Sequence, residues 1–162
     1  MPATYEPIAT TTLGSTTASV TFSSISGAYT DLVLVCGSLA YVTGDDDAFV
    51  RFNSDTGTNY SWTQLNGTGS TTTSNRGTST SGIRSINGMS TTDKGTAIIN
   101  IQNYANTTTY KTTVSRHSTS FAGAFVGVWR NTAAITSVTV INLGAGGFAS
   151  NSTFTLYGVK AA

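Results

Sequence analysis

Residues 32–41 read LVLVCGSLAY, and almost every side chain in this stretch is apolar or small. A strand with one face in water alternates apolar and polar side chains, because successive side chains point to opposite faces of a sheet. Apolar sequence without that alternation is typical of a strand that is covered on both sides. The stretch therefore predicts a central β-strand with protein packed on each of its two faces.

Residues 121–130, FAGAFVGVWR, have the same property. In an extended chain Phe121, Phe125 and Trp129 lie on one face together with two glycines, while alanine and valine fill the other face. Both faces are therefore apolar. Glycine inside a strand lets aromatic side chains of a facing sheet lie close to the backbone, or it marks a bulge. We predict a second strand here, with one of these two arrangements at its glycines.

Other stretches alternate in the manner of half-buried strands, as at 18–23, where apolar side chains face one way and hydroxyl side chains the other. Turn residues at 53–57 separate two such stretches and predict a β-hairpin. The apolar phase changes between Val140 and Ile141, which predicts a β-bulge. The remaining predicted strands are 48–53, 59–65, 97–103, 110–117, 135–143 and 153–160.

The composition also favours an all-β chain. The 162 residues include 32 Thr, 20 Ser and 17 Gly, and only 9% of them are charged. Threonine is stiff at its branched Cβ, which costs helix stability and suits strands. About nine short strands separated by turns are typical of a two-sheet antiparallel β-sandwich. We predict a jelly-roll-like sandwich, with an immunoglobulin-like topology as the alternative.

The length predicts one domain with one core. We place that β-sandwich domain at residues 13–162 and predict an extended N-terminal arm or edge strand at residues 1–12, where Pro2 and Pro7 limit pairing. Residues 66–82 contain no apolar side chain and are rich in Thr, Ser and Gly. This segment predicts a long surface loop.

Charge argues against nucleic acid and against membranes as partners. The net charge is +1, and the basic residues are scattered from Arg51 to Lys160 without forming a stripe. No apolar stretch approaches the roughly 20 residues that a membrane helix needs. We therefore expect neither a phosphate-binding surface nor a membrane span.

The expected compartment follows from the single cysteine and from the first residues. Cys36 lies within an apolar run, where a free thiol usually behaves as a small core side chain. Residues 1–7 have neither the basic nor the apolar region of a secretory signal. The hydroxyl-rich, low-charge composition nevertheless resembles that of an extracellular surface. A protein that folds in a host cytoplasm and is exposed by lysis, such as a virion component, fits both observations.

Catalytic chemistry has little support in the sequence. His117 is the only histidine, so a site with two histidines in one chain is excluded. Serines near His117 carry little weight in a chain so rich in serine, and we expect His117 to be a solvated side chain at a strand end. We predict no enzyme activity and no cofactor.

A metal site is conceivable at one acidic cluster. Asp45, Asp46 and Asp47 are consecutive, and Asp55 follows beyond the adjoining predicted strand. Carboxylate oxygens are the ligands that Ca²⁺ prefers. The spacing does not match an EF-hand loop, so a solvated loop is the competing interpretation.

A glycan site is a second candidate. Tyr60 and Trp62 alternate with polar residues that include Asn59. Aromatic rings can stack on a sugar while amides bind its hydroxyl groups. Aromatic residues on one face of a strand more often belong to the core, so both interpretations stay open.

Several phrases resemble small structural proteins of tailed bacteriophages, especially phages of marine and freshwater cyanobacteria. They extend from one end of the chain to the other and are specific as a set. The phrases are YEPIAT (5–10), SVTFSSI (19–25), YTDLVLV (29–35), DTGTNYS (55–61), INIQNY (99–104) and FTLYGV (154–159).

The resemblance implies a structural virion component without enzyme activity. A capsid decoration (cement) protein on the outer head surface is the first expectation, bound to the major capsid protein and forming a homo-oligomer such as a trimer. A tail-fibre or baseplate module that binds host surface glycan is the alternative. The resemblance assigns no role to individual residues.

Overall fold

The fold is seen in a computed structural model, which describes residues 4–43, 46–144 and 146–160. In these ranges the chain forms twelve β-strands and no helix. The strands are β1 (Tyr5–Thr12), β2 (Ser19–Phe22), β3 (Asp31–Leu39), β4 (Asp46–Phe52), β5 (Tyr60–Gly67), β6 (Thr72–Thr80), β7 (Ile83–Met89), β8 (Gly95–Gln102), β9 (Lys111–Ser118), β10 (Ala122–Trp129), β11 (Val138–Asn142) and β12 (Thr153–Val159).

The strands form two antiparallel sheets of unequal size, which confirms the prediction of an all-β sandwich. The larger sheet has eight strands in the order β1-β12-β3-β8-β9-β10-β5-β6. The smaller has four, in the order β2-β11-β4-β7. The predicted central strand, β3, lies between β12 and β8 in the larger sheet. β7 of the smaller sheet lies against β5, β9 and β10 of the larger one.

The core between the sheets is built around aromatic rings. Trp129 of β10 is 1% exposed and stacks on Tyr60, with 6.2 Å between ring centroids. The Phe52 ring of β4 lies 5.5 Å from Trp129, so it joins the two sheets at this point. Cys36 is fully buried in the same core, as its apolar surroundings predicted.

The predicted hairpin at 48–53 and 59–65 is wrong, because β4 and β5 belong to different sheets. Asn53 and Ser54 have φ values of 51° and 56°, and they turn the chain from the smaller sheet to the larger. The Asn53 side chain donates to the Ala134 carbonyl and accepts from the Thr136 amide, which fixes this corner. Turn residues alone do not indicate whether the flanking strands pair or separate.

The predicted loop over 66–82 is also wrong. Its central part is β6, which pairs with β5 from Tyr60↔Thr80 to Gly67↔Thr72 and forms an edge of the larger sheet. Most of β6 is exposed. Backbone pairing and threonine's preference for extended conformations are sufficient for such an edge strand, which needs no apolar side chain.

Three other elements differ in detail from the sequence analysis. β1 pairs with β12 at the opposite edge, while the first three residues of the predicted arm lie outside the described ranges. β7 was not predicted, because its burial does not alternate regularly and its pairing with β4 contains two register shifts. β11 has no bulge: it pairs with β4 without interruption, and Asn142 rather than Ile141 takes the buried position.

Candidate functional site

The larger sheet has a broad face directed away from the smaller sheet, which we call the outer face. The register places Val33, Val114 and Val126 in one row across it, with Asn100 between the first two. The neighbouring row contains further aliphatic side chains. Together the apolar members are Tyr5, Val33, Val35, Leu65, Ile98, Val114, Ala124, Val126, Val128, Tyr157 and Val159.

Four of these apolar side chains are highly exposed, whereas Val33 is only 7% exposed. Leu65 is 65% exposed, Val126 57%, Tyr5 55% and Val114 41%. In the described ranges no strand or loop of the chain forms a layer over them. Single exposed aliphatic residues are ordinary, but a row of them across several strands marks an interaction surface.

β9 shows that this arrangement runs against the usual pattern. Lys111, Thr113, Ser115 and His117 point into the sandwich and are buried, whereas Val114 points outward. β5 repeats the inversion, since Gln64 and Asn66 are buried while Leu65 is exposed. Each of these two strands thus carries polar side chains inward and one apolar side chain outward.

The inward polar groups of β9 are held mainly by hydrogen bonds to backbone. Lys111 Nζ donates to the carbonyls of Thr109 and Thr132 at 2.8 and 3.0 Å, and its burial lowers the pKa of that ammonium group. Ser115 Oγ donates to the Ser85 carbonyl of β7 at 2.9 Å. The Ser115 hydrogen bond attaches the larger sheet to β7, and those of Lys111 hold the segments at Thr109 and Thr132, so both side chains have structural roles.

His117 is buried, which corrects the expectation of a solvated side chain. It is 5% exposed, and neither ring nitrogen has a hydrogen-bond partner among the residues that the structure describes. Burial and the Arg84 guanidinium lower the pKa of His117 to about 4, although Asp47 acts in the opposite direction. The imidazole is therefore neutral near pH 7 and packs on the Phe125 ring, with 5.5 Å between centroids.

Asp47 and Asp55, the two candidate metal ligands whose side chains the structure describes, have separate partners. The Asp47 carboxylate forms an ion pair with Arg84 and accepts from the Gly88 amide at 3.3 Å. Asp45 and the side chain of Asp46 lie outside what the structure describes. Over the described residues, no three His, Cys, Asp or Glu side chains are grouped so that they could hold a metal ion.

Asp55 supports the core end of the β4–β5 corner. Its carboxylate accepts from Trp129 Nε1 at 2.7 Å, from the Asn59 amide at 2.9 Å and from the Gly57 backbone at 2.8 Å. Burial opposes ionisation of Asp55, but these three hydrogen bonds outweigh it and hold its pKa below the ordinary value.

The three candidate glycan residues do not form a common binding surface. Tyr60 is fully buried, and its hydroxyl donates to the Asp55 carbonyl at 3.1 Å. Asn59 uses its amide on Asp55. Trp62 is half-buried, and the Arg84 guanidinium lies 5.4 Å from its ring centroid. The core interpretation therefore describes Tyr60, and its ring is not available to a sugar.

Cys36 has no sign of reactivity. Burial raises the pKa of its thiol to about 12, so the nucleophilic thiolate is scarce at neutral pH.

Comparison with protein-family models, with curated proteins and with solved structures finds no match. Within the described ranges there is no helix of the length and apolar character needed to cross a bilayer. A function is therefore inferred from the surfaces of the chain and from its sequence resemblance.

Proposed function

We propose that this chain is a structural protein of a tailed-phage virion without enzyme activity, and specifically a capsid decoration protein on the outer head surface. One observation supports an assembly role above all: the outer face exposes apolar side chains on the adjacent strands β9, β10 and β5, and again at Tyr5 on the β1 edge. Such a surface loses free energy when another protein covers it. The sequence resemblance supplies the virion context.

The side chains most suited to catalysis have other roles, which supports the same proposal. Cys36 is a core thiol, Asp55 holds the Trp129 indole, and Asp47 pairs with Arg84. The neutral His117 imidazole packs on an aromatic ring within the sandwich. A catalytic group must reach a substrate, and the contacts of these four residues are intramolecular.

A decoration protein also suits the surface chemistry of the chain. Many copies of one protein on a repetitive capsid lattice act together, so each contact can be modest. The major capsid protein is the proposed partner. The β6 edge and its turn present hydroxyl groups and one charge, Arg76, which is compatible with a solvent-facing layer.

The test is the location and number of copies on intact particles. Gold-labelled antibody against the purified protein should decorate the whole head in electron micrographs, and quantitative mass spectrometry should give hundreds of copies per particle. A few copies restricted to the tail would overturn the decoration role and favour the tail-fibre alternative. Particles that contain no copy would overturn the virion assignment itself.

A further inference from the structure

We infer that the outer face is an interface between two copies of this chain, which pair face to face as a symmetric dimer. This inference goes beyond the proposed virion role, because it concerns the purified chain in solution. It can therefore fail while the virion assignment stands, and the reverse also holds.

The apolar pattern of two strands indicates a cover on both sides of the larger sheet, and the observed layers supply it on one side. Residues 32–41 and 121–130 are apolar on both faces, which is the pattern of strands with protein on each side. The outward Val33 of β3 is already only 7% exposed within one copy, but the smaller sheet covers only one side of β10. On the other side Val126 is 57% exposed. The sequence thus encodes a second cover that one copy does not supply.

β5 and β9 each turn polar side chains into the sandwich and an apolar side chain outward. Burying Asn66 and His117 costs free energy, since Asn66 Oδ1 and both nitrogens of His117 have no hydrogen-bond partner within the described part of the chain. The same register turns Leu65 and Val114 outward. A register that turns these apolar side chains outward is favourable if a second copy buries the outer face.

The area of the outer face matches that of a stable interface between two proteins. With neighbouring strands about 4.8 Å apart and a rise of about 3.3 Å per residue, eight strands of this length span a face of roughly 900 Å². A stable interface typically buries about 800 Å² on each partner. A second copy presents a sheet of equal extent and equal twist, so it can cover the whole face, and sheets stack in this way in sandwiches.

The positions of the charged side chains on the outer face also favour pairing between two copies. On the eight strands of this face, the outer side carries one acidic side chain, Asp31 on β3, and two basic ones, Arg116 on β9 and Arg76 on the β6 edge. In a symmetric pair each contact occurs twice with the roles exchanged. A two-fold axis that lies in the interface between these residues places Arg116 of each copy against Asp31 of the other. Asp31 and Arg116 are thus complementary across the pair, while Arg76 lies at the β6 edge of the face.

The β1 edge of the larger sheet is less suited to pairing between copies. β1 contains Pro7, which has no backbone N–H, and its pairing shifts register between Pro7 and Ala9. The Glu6–Lys160 ion pair, at 2.7 Å, adds charge at this edge. Proline, irregular pairing and charge are the features by which sheet edges avoid edge-to-edge association.

The experiment is sedimentation equilibrium on three proteins over about 1–100 µM. The unmodified chain should give twice its 16.7 kDa mass. Val126→Lys introduces two charges into each dimer and should raise the dissociation constant at least about 100-fold. Leu143→Lys is the matched control: Leu143 is an aliphatic residue 46% exposed, it follows β11 of the smaller sheet, and its variant should remain dimeric.

Three outcomes would overturn the inference: a monomeric unmodified chain at 100 µM, a trimer or larger closed assembly, or a Val126→Lys variant that still pairs. If Val126→Lys does not fold, as judged by circular dichroism, Leu65→Lys replaces it, because Leu65 is 65% exposed and lies on the same face. Labelling of virions is a separate measurement, so it continues to test the decoration role whatever the mass in solution.

Discussion

Trp129 concentrates several contacts in one side chain. Its ring meets Tyr60 and Phe52, and its indole N–H donates to Asp55 at 2.7 Å. Removing a fully buried tryptophan leaves a cavity and costs about 3–5 kcal/mol. The Asp55 carboxylate also loses a donor. Trp129 therefore joins the core, the sheet pair and the β4–β5 corner.

We predict that Trp129→Ala lowers the free energy of unfolding by about 4 kcal/mol, measured by urea denaturation. Trp62→Ala is the matched control, because that indole is only half-buried and should cost clearly less. Equal losses in the two variants, or an unchanged midpoint for Trp129→Ala, would contradict the assignment of Trp129 to the centre of the core.

His117 gives the fold a pH dependence with a definite sign. Its pKa is about 4 in the folded chain and near 6.5 when unfolded, so between these values the unfolded chain binds the additional proton. Stability is therefore fully present above about pH 6.5 and is lost as the pH falls towards 4. The groups that face the ring and affect this titration are Arg84 of β7 and Asp47 of β4.

We predict that stability falls by up to about 3 kcal/mol between pH 7 and pH 4 through His117 alone. His117→Gln removes the titrating group, and the difference in unfolding free energy between the two pH values should shrink accordingly. Asp55 acts in the same direction at low pH, so the variant keeps a smaller residual dependence. The same pH dependence in both proteins would disprove the role of His117.

Residue burial was predictable where the local sequence was strongly apolar. Cys36 and Trp129 lie in apolar runs, and the structure buries both. His117 lies among serine, threonine and arginine, and no local signal indicates that β7 packs over it. Its burial depends on a strand that the sequence analysis did not identify.

At the level of elements, β6 and β7 show why prediction by alternation fails at particular places. β6 is an edge strand with open faces, so it has no apolar period to detect. β7 pairs irregularly with β4, so the period is broken. The corner between β4 and β5 has the composition of a hairpin turn, but Phe52 and Tyr60 face each other across the core at 6.4 Å. That contact joins the two sheets, and the sequence of the turn does not predict it.

β10 tests the close approach of the two sheets. A Cβ at Gly127 would lie 2.2 Å from Ile83 Cγ2 of β7 and 2.8 Å from Thr113 Oγ1 of β9. Ile83 is fully buried, so it has no free space into which to move. The first sequence interpretation, close packing by a facing sheet, therefore describes Gly127, although the approaching side chain is aliphatic.

We predict that Gly127→Ala destabilises the fold by about 2–3 kcal/mol, because it forces β7 away from β10. Gly14→Ala is the control, since nothing lies within 4 Å of a Cβ at that position, and its effect should be near zero or slightly stabilising. Thermal unfolding of both variants decides the matter. A Gly127→Ala protein as stable as the control would mean that the sheets are not in contact at Ile83.

For the whole molecule, the unequal sheets link fold to function. Four strands and the loops cover one side of eight strands, and the remaining side is the outer face. The sequence predicted an all-β sandwich, a central strand at 32–41 with protein on both sides, and a second strand at 121–130 that is apolar on both faces. The sequence did not show that one copy leaves the outer face uncovered. The pattern of apolar side chains in a strand indicates that they are buried, but it does not indicate which element or which copy covers them. The candidate glycan and metal residues were chosen by type and spacing, but the fold holds Asn59 and Tyr60 against Asp55 and pairs Asp47 with Arg84.

Pairing through the outer face has a consequence for the stability of the whole molecule. If two folded copies unfold to two separate chains, mass action makes the melting temperature rise with protein concentration. For a chain of 162 residues, a 100-fold increase in concentration should raise it by about 4 °C. Val126→Lys should melt at a temperature independent of concentration, whereas Leu143→Lys should follow the unmodified chain. A constant melting temperature for the unmodified chain, measured by calorimetry over that range, would show that the outer face does not couple folding to pairing.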